Sequence, residues 1–446
     1  MRILVSILIL CCLGSGYAQQ QKSYTFSLQE AVEFALDSSY TAINAQRDVV
    51  AALKQKWETT ATGLPQISAS VDYQNQLKQP VTLIPAEFSG GEPGTFTPVV
   101  FGVPQTMNAS ATLNQLIFDG SYIVALQAAK TFLEHSQNYE EKTASVVRKE
   151  VISAYGNVLL AEENIEILER NLSTLDKNLN ETTQLFKNGF SEEEDVEQLQ
   201  ITKANVEIQL KNAERVLNLS RQLLNATLGI PVETTVTLTD KLDGLILTST
   251  NLSLLQEDLT LDSNVDYKIA FNLTEQRRLE LKREKYNALP TLSAFVNYGT
   301  QANSNTFTFL DSDQQWFQSS VLGVSLQVPI FSSLQRSAKA QRAEIAYDQA
   351  KTDLEQTVQQ IKLEAKSAKN DYQFAIEKYE NAQKNLQLAE RIENKNQVKF
   401  FEGISSSFEL RQAQTQLYTA QQEYLQSMLD VINKKAELER VLNTNN

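Results

Sequence analysis

The sequence contains one structural unit written twice, and this duplication limits the available folds more than any other feature. Residues 64–73 return 225 positions later as 289–298, and residues 111–118 return 213 positions later as 324–331. The change of offset falls in one connection, at about 74–106 in the first repeat and 299–320 in the second. Length variation of this kind is typical of an exposed loop. The fold must therefore consist of two equivalent halves.

Long helices are predicted to fill most of each repeat. In the first repeat, apolar residues recur every seven positions from Val158 to Phe186, which is the pattern of a coiled-coil seam. It predicts a helix over 122–187, about 100 Å long at the helical rise per residue. This helix turns at Gly189 into a second helix over 192–228. The second repeat predicts the same hairpin over 334–401 and 406–442, turning at Gly403.

A shorter helix is predicted to open each repeat. In the first repeat it covers 28–62, with Ser27 as its N-cap and Glu30 completing a capping box. The predicted domains are a signal peptide over 1–18, a first repeat over 19–228, an inter-repeat linker over 229–254 and a second repeat over 255–446. The signal peptide rests on Arg2, the apolar run that follows it and the small residues before Gln19.

Four segments alternate apolar and polar residues, as half-buried strands do. For a single strand a soluble sandwich is the simpler explanation, but four strands joined to very long helices favour a membrane protein. Four strands cannot close a barrel around a channel, and lipid does not tolerate a free edge, so several chains would have to share one barrel. The residues expected to face lipid are Ile67, Ala69, Val71, Tyr73, Met107, Ala109, Ala111, Leu113, Leu292, Ala294, Val296, Tyr298, Leu322, Val324, Leu326 and Val328.

The duplicated order of these motifs resembles the outer-membrane efflux proteins of the TolC family. The likeness rests on the Leu-Pro strand openings at Leu64 and Leu289, the strand ends at 113–120 and 328–331, and the tip glycines. It implies a mainly α fold with a small β part: duplicated antiparallel coiled-coil hairpins form an α-barrel tunnel, and four amphipathic strands per chain join a shared trimeric β-barrel in the outer membrane.

The resemblance also implies the function and the partners. The chain would be the passive exit channel of a tripartite efflux or type I secretion system, extending into the periplasm. It would work as a homotrimer in outer-membrane lipid, with a periplasmic adaptor and an inner-membrane pump of the RND or ABC type. A soluble periplasmic coiled-coil adaptor or scaffold is the alternative.

Two groups of residues are implied at the hairpin tips. An adaptor would dock on Gly189, Phe190, Ser191, Gly403, Ile404 and Ser405. The entrance would be lined by Asp195, Glu409, Gln412, Glu192, Glu193 and Glu194. Gln412 departs from the family, which has a second aspartate there. Acids in the first turn of a helix also complement its dipole, so a cap and a gate remain alternatives for these carboxylates.

The residues needed for most other functions are missing from the sequence. Both cysteines, Cys11 and Cys12, lie in the predicted signal peptide, and the single histidine, His135, is expected on a solvated surface. No zinc site, catalytic nucleophile or phosphate-binding loop can be assembled, so we expect no enzyme activity, no metal and no cofactor. The net charge of −14 argues against nucleic acid as a partner.

Overall fold

A computed structural model describes residues 23–250 and 252–444 of the chain. The predicted signal peptide over 1–18 lies outside the described residues, as do Cys11 and Cys12. The chain divides into two compact units. In the described residues we call them the hairpin unit, which comprises 23–49, 136–250, 252–270 and 354–444, and the strand unit, which comprises 50–135 and 271–353.

Helices make up most of both repeats. They are α1 (Leu28–Ser38), α2 (Tyr40–Ala61), α3 (Gly120–Lys187), α4 (Glu193–Leu228), α5 (Leu242–Ser249), α6 (Val265–Tyr286), α7 (Gln335–Phe401) and α8 (Ser407–Leu442). The long helices α3 and α7 contain 68 and 67 residues. The predicted hairpin helices are therefore confirmed to within two residues. No helix in the described part of the chain is both long and apolar enough to cross a membrane.

The strands are more numerous than predicted, because four short strands of three or four residues accompany the four long ones. They are β1 (Tyr24–Phe26), β2 (Gln66–Asn75), β3 (Thr82–Pro85), β4 (Phe96–Val99), β5 (Gln105–Phe118), β6 (Val236–Leu238), β7 (Thr291–Ser304) and β8 (Phe317–Gln327). The first predicted loop contains the hairpin of β3 and β4. The second loop is shorter than the predicted 299–320, because β7 continues to Ser304 and β8 begins at Phe317. Val328 lies beyond the end of β8, so its assignment to a strand was wrong.

The helix predicted over 28–62 is two helices, because Ser39 adopts an extended conformation between α1 and α2. The capping box of Ser27 and Glu30 is confirmed at the start of α1. At its end the Ser38 hydroxyl donates to the carbonyl oxygens of Phe34 and Leu228, each at 2.6 Å. The break is therefore fixed by a contact with the distant end of α4, which a local sequence pattern does not reveal.

Four antiparallel strands of the strand unit form one sheet in the order β2-β5-β7-β8. Ile67 lies opposite Leu113, and their counterparts in the second repeat, Leu292 and Leu326, also lie opposite each other. The duplication is thus preserved in the register of the strands. Within residues 23–250 and 252–444, β2 and β8 each have a neighbour on one side only, so both outer edges of the sheet are free there.

The hairpin unit has a continuous apolar core in which the two repeats meet. Strand β1 pairs in parallel with β6, which lies in the predicted linker over 229–254 together with α5. The fully buried Tyr155 of α3 places its hydroxyl 3.1 Å from the carbonyl oxygen of Phe26 and 2.9 Å from the Asp240 carboxylate. Burial raises the pKa of this phenol, which keeps it neutral. The predicted seam of the first hairpin is confirmed by the buried Leu168, Leu175, Leu199 and Val206.

Candidate functional site

Each hairpin turns at a glycine in the left-handed region, Gly189 with φ 77° and Gly403 with φ 75°. In the first tip the Gly189 amide donates to Phe186 and the Phe190 amide donates to Leu185, both at 2.9 Å. The second tip has the same two bonds, at 3.0 and 2.8 Å. This is the Schellman motif, so the two tips share one backbone geometry.

The residue after each glycine is a large apolar side chain in solvent. Phe190 is 81% exposed and Ile404 is 71% exposed. In a Schellman motif this position frequently packs back on its own helix, and neither side chain does so to any large extent here. Exposed apolar side chains at the end of a hairpin form a surface suited to a protein partner.

Asp195 is hydrogen-bonded within the first hairpin tip and interacts with the second. Its carboxylate accepts from the Ser191 hydroxyl at 2.8 Å and from the Glu192 amide at 3.2 Å. The Ser407 hydroxyl, in the first turn of α8, also interacts with this carboxylate and lowers its pKa. Burial raises the pKa of Asp195, but the hydrogen bonds from Ser407, Ser191 and Glu192 outweigh burial and hold the pKa below its usual value. Asp195 is therefore an ionised cap of α4 that also contacts the second hairpin.

Glu409 occupies the matching position in the second hairpin. Its carboxylate accepts from the Ser405 hydroxyl at 2.5 Å, and its amide donates to the Ser406 hydroxyl at 3.3 Å. The remaining acids and amide predicted at the entrance are exposed: Glu192, Glu193, Glu194 and Gln412. Asp195 and Glu409 thus share a bond from the serine four residues earlier, but only the Asp195 carboxylate accepts from a backbone amide at the start of its helix. The other four side chains lie in solvent.

The sheet of the strand unit separates apolar from polar residues. Directly opposed residues share a face, and Ile67–Leu113 and Val296–Leu322 are both such pairs. The opposite face carries polar pairs, with the Ser70 and Ser110 hydroxyls 3.2 Å apart. The apolar face in the described chain is largely exposed, which is unusual for large aliphatic residues on a sheet.

Phe295 lies on the polar face, where the alternating pattern predicts a polar residue. It is opposite Gly323, and a Cβ atom at Gly323 would lie 2.4 Å from the Phe295 ring. The ring therefore covers the glycine backbone in place of the missing side chain.

At the far end of the apolar face, Tyr73 packs edge-on against two rings. Its ring centroid lies 5.6 Å from that of Phe307 and 5.8 Å from that of Phe309.

The family model described as outer membrane efflux protein matches residues 31–230 and 266–444, so that both repeats are matched. The chain belongs to the outer membrane efflux protein family. Membership makes it an outer-membrane efflux channel protein rather than a soluble periplasmic adaptor or scaffold, and places it in a class of channels rather than enzymes. No curated protein sequence matches this efflux protein.

Solved structures of outer-membrane channels share the fold of this efflux protein. CusC is 16% identical with a TM-score of 0.73, covering 95% of both chains. VceC from Vibrio cholerae is 16% identical with a TM-score of 0.70, covering 93% of this chain and 95% of that one. CmeC from Campylobacter jejuni has the same identity and TM-score, covering 93% of this chain and 85% of that one.

A layer of buried polar residues joins the two hairpins of this efflux protein, and our sequence reasoning missed it. The Asn171 amide donates to Gln421 at 2.8 Å, and one heptad closer to the tips Gln397 donates to Asn178 at 2.8 Å. Gln414 is 1% exposed on α8 at the level of Asn178. A signal was available in the sequence, since Asn171 and Asn178 are seven residues apart, as are Gln414 and Gln421.

Glu393 on α7 is a carboxylate within this polar layer. It is 9% exposed, and burial raises its pKa, although the Gln414 amide lowers it in part. The neighbouring Tyr418 also has a raised pKa, because of burial and the charge of Glu393.

His135 was expected on a solvated surface, and this expectation was wrong. Its ring is half-buried on α3, and burial lowers its pKa.

Proposed function

We propose that this efflux protein is one subunit of a homotrimeric exit channel, which conducts substrates passively from a periplasmic adaptor and an inner-membrane pump to the exterior. The observation that carries the proposal is the pair of free edges at β2 and β8. A four-stranded sheet is too small to enclose a channel, and its free edges have no partner in lipid. Both difficulties disappear when β8 of each copy pairs with β2 of the next.

Cell fractionation tests this proposal. We expect the protein in the outer membrane, with detergent needed for its extraction, and a trimer band on gels that converts to monomer on heating. A monomer recovered from the soluble periplasmic fraction would overturn the proposal.

The apolar face of the sheet is proposed to contact outer-membrane lipid. Val71 and Ser70 are neighbours on β2 but lie on opposite faces, so they form a matched pair. A Val71→Arg variant is expected to lose about 2–4 kcal/mol of folding stability in the membrane, the cost of a cation near the bilayer centre. Ser70→Arg should assemble normally. Equal assembly of the two variants would contradict the assignment of this face.

Asp195 and Glu409 are proposed to line the entrance, with the exposed Glu192 to Glu194 adding negative charge around them. Their equivalent positions just beyond the tip glycines, and the lowered pKa of Asp195, support this role. Replacing both with alanine should raise single-channel conductance or weaken block by multivalent cations in planar bilayers. The control is Glu214→Ala with Glu423→Ala, which removes two exposed acids further from the tips. If neither property changes, these two acids only cap their helices.

The hairpin tips are proposed to dock on the adaptor, because Phe190 and Ile404 are exposed apolar side chains in matching positions. A photoreactive amino acid at either position should crosslink in cells to an adaptor that pairs with an RND or ABC pump. The same amino acid at Leu77, which is 95% exposed in the loop after β2, is the control. No adaptor at the tips, or equal capture at Leu77, would contradict docking there.

A further inference from the structure

Three helices of the strand unit enclose a pocket next to the sheet. Helices α2 and α6 run towards the sheet and end at Ala61 and Tyr286, shortly before β2 and β7, whereas α3 begins at Gly120, directly after β5. The cavity between them has a volume of about 450 Å³, which lies within the range of sites for small organic molecules. All of its walls belong to the strand unit, so the pocket is a feature of a single chain.

The floor of the pocket is an apolar face of α3. Val124 is fully buried there, and Ala125, Ala128 and Ala129 line the cavity on the same face, because side chains three or four positions apart are neighbours on a helix. The buried Leu279 of α6 also lines the cavity. Methyl groups at these positions leave room that longer side chains would fill. The floor can therefore cover the apolar part of a ligand.

The walls of the pocket carry positive charge. Lys56 is exposed on α2 and forms no salt bridge in the part of the chain that the structure describes. Arg283 on α6 has a long ion pair with Glu284, at 3.7 Å. Arg277 lies further from the sheet and is neutralised by Glu280 at 2.8 Å. Lys56 and Arg283 thus supply positive charge for an anion, in a chain whose net charge is −14.

The two ends of the pocket differ in polarity. Lys56 and Arg283 lie within about two turns of the helix ends that meet the sheet. Leu273 lies on α6 about 15 Å further from the sheet, and Phe132 on α3 reaches the same end because α3 runs in the opposite direction. Leu273 is 44% exposed and Phe132 is 38% exposed. The pocket is therefore cationic near the sheet and offers two large apolar side chains at its far end.

Gln276 on the α6 wall is a hydrogen-bond donor without an acceptor. Its amide nitrogen is buried and has no partner among the described residues. An unpaired donor away from water costs free energy, so the side chain gains when a rotation brings it to an acceptor in the pocket. A ligand with an acceptor about 10 Å from its anionic head would reach this donor, since that is the rise from Arg283 to Gln276 along the helix.

We propose that this pocket binds a small amphipathic organic anion. The anionic head, a phosphate, sulfonate or carboxylate, binds Lys56 and Arg283 at the end near the sheet. The apolar body lies over the alanines of α3 and contacts Phe132 and Leu273. The inference goes beyond the proposed function, which gives this pocket no ligand, and it does not depend on the number of chains in the channel.

A phospholipid of the surrounding membrane fits the pocket less well than a soluble amphiphile. If the sheet lies in the outer membrane, the chains of an inner-leaflet lipid point towards the sheet and its headgroup lies on the helical side. The pocket has the opposite polarity, because its cations are nearest the sheet and its large apolar side chains are furthest away. Phosphatidylglycerol is therefore the competing ligand that the experiment has to separate.

Equilibrium dialysis of naphthyl phosphate against the full chain in nonionic detergent tests the proposal, with empty micelles as the blank. We expect one saturable site per chain, with binding that weakens as salt is added. Naphthol lacks the anion and inorganic phosphate lacks the apolar body. Each should bind at least about tenfold more weakly, because each loses one half of the contacts.

Substitutions of exposed charges locate the site without disturbing helix packing. Lys56→Gln and Arg283→Gln should each weaken the binding of naphthyl phosphate about tenfold, since each removes a charge-assisted hydrogen bond. Lys282→Gln is the matched control, because Lys282 neighbours Arg283 but donates to Gln127 at 3.0 Å and does not line the pocket. It should bind naphthyl phosphate like the parent protein.

The proposal has three contradicting outcomes. Equal affinity of the parent, Lys56→Gln and Arg283→Gln proteins would place any bound anion elsewhere. Inorganic phosphate binding as tightly as naphthyl phosphate would mean an anion site without an apolar part. Phosphatidylglycerol found on the extracted protein by mass spectrometry, and not released by excess naphthyl phosphate, would mean a lipid site. Because binding is counted per chain, each of these results leaves the homotrimer untouched, and a monomer in the fractionation experiment leaves the pocket untouched.

Discussion

Single residues at the hairpin tips decide whether the chain can reverse direction there. Gly189 and Gly403 have positive φ values, and no other atom lies near the position that a Cβ would take at either residue. Glycine is therefore favoured at both tips because of the left-handed backbone conformation, and not because a side chain would lack space. A left-handed conformation costs other residues about 1–2 kcal/mol.

We predict that Gly189→Ala and Gly403→Ala each destabilise their tip by about 1 kcal/mol. Hydrogen exchange of the amides on either side of the tip measures this directly, as a faster local opening. Gly244→Ala is the control, because Gly244 also has open space around it but lies in α5 without a positive φ. Unchanged exchange at both tips would show that the glycine conformation is not needed.

The buried Glu393 should make hairpin packing depend on pH. Its folded-state pKa is raised by burial, so its protonated form is favoured among Gln414, Tyr418 and the Asn178–Gln397 pair. The stability that it contributes is present below its unfolded-state pKa and is lost as pH rises through the raised folded-state pKa. The hairpins should therefore be tighter in mild acid than at neutral pH.

We predict that Glu393→Gln stabilises the hairpins at neutral pH by about 1 kcal/mol, because a buried charge is replaced by a neutral side chain of similar size. The variant should also lose the pH dependence. Urea unfolding of the detergent-solubilised protein between pH 4 and about 8 measures both effects over the range in which carboxylates titrate. Glu390→Gln, an exposed acid on the same helix, should behave like the parent protein. A destabilised Glu393→Gln variant would contradict this account.

The family resemblance pointed to the tip acids but not to their partners. Asp195 and Glu409 were predicted because the family has acids at the corresponding positions after the tip glycines, and each accepts a hydrogen bond from the serine hydroxyl four residues earlier. Ser407 was not predicted, because it belongs to the other repeat, more than 200 residues from Asp195 along the chain. Pairings of this kind depend on how helices from different repeats are packed, which a local pattern does not encode.

At the scale of elements, the sequence predicted the long helices with periodic apolar residues, but it did not predict where a tertiary contact interrupts a helix. The limits of α3 and α7 follow from their repeating apolar residues, their glycine stops and the strands before them. The break at Ser39 was missed because the Ser38 hydroxyl bonds to Leu228. The short strands β1 and β6 were missed because three residues carry too little periodicity to be recognised.

The two hairpins have nearly the same length but different apolar seams. The first is closed by large aliphatic residues, including Leu168, Leu175 and Leu199. The buried cluster of the second contains Leu417 with the much smaller Ala389 and Ala420. Since each buried methylene contributes about 0.8 kcal/mol, this cluster contributes less apolar packing than the leucine cluster of the first hairpin.

We predict that the second hairpin opens locally more readily than the first. Backbone amides in 386–420 should exchange faster than those in 165–213, compared at equal distances from the tip glycines. Hydrogen exchange followed by mass spectrometry of peptides from the intact protein measures this difference. Equal or slower exchange in the second hairpin would contradict the comparison of the two seams.

At the scale of the whole molecule, the sequence pointed to more than one chain, and the two outer strands of the sheet are the surfaces that we propose to join the copies. The alternation of apolar and polar residues predicted which side chains lie on the same face of the sheet, but it did not predict the order of the strands. The order β2-β5-β7-β8 leaves one strand of each repeat at an edge. Copies joined through these edges would continue the alternation of repeats around a ring, which is why we place the assembly contact there.

The number of chains in the extracted particle tests the central claim most directly. Native mass spectrometry of the protein, solubilised in detergent from outer membranes, should give three times the mass of the mature chain and dissociate to single chains on activation. A particle of one folded chain, or one recovered from an aqueous extract without detergent, would contradict the account.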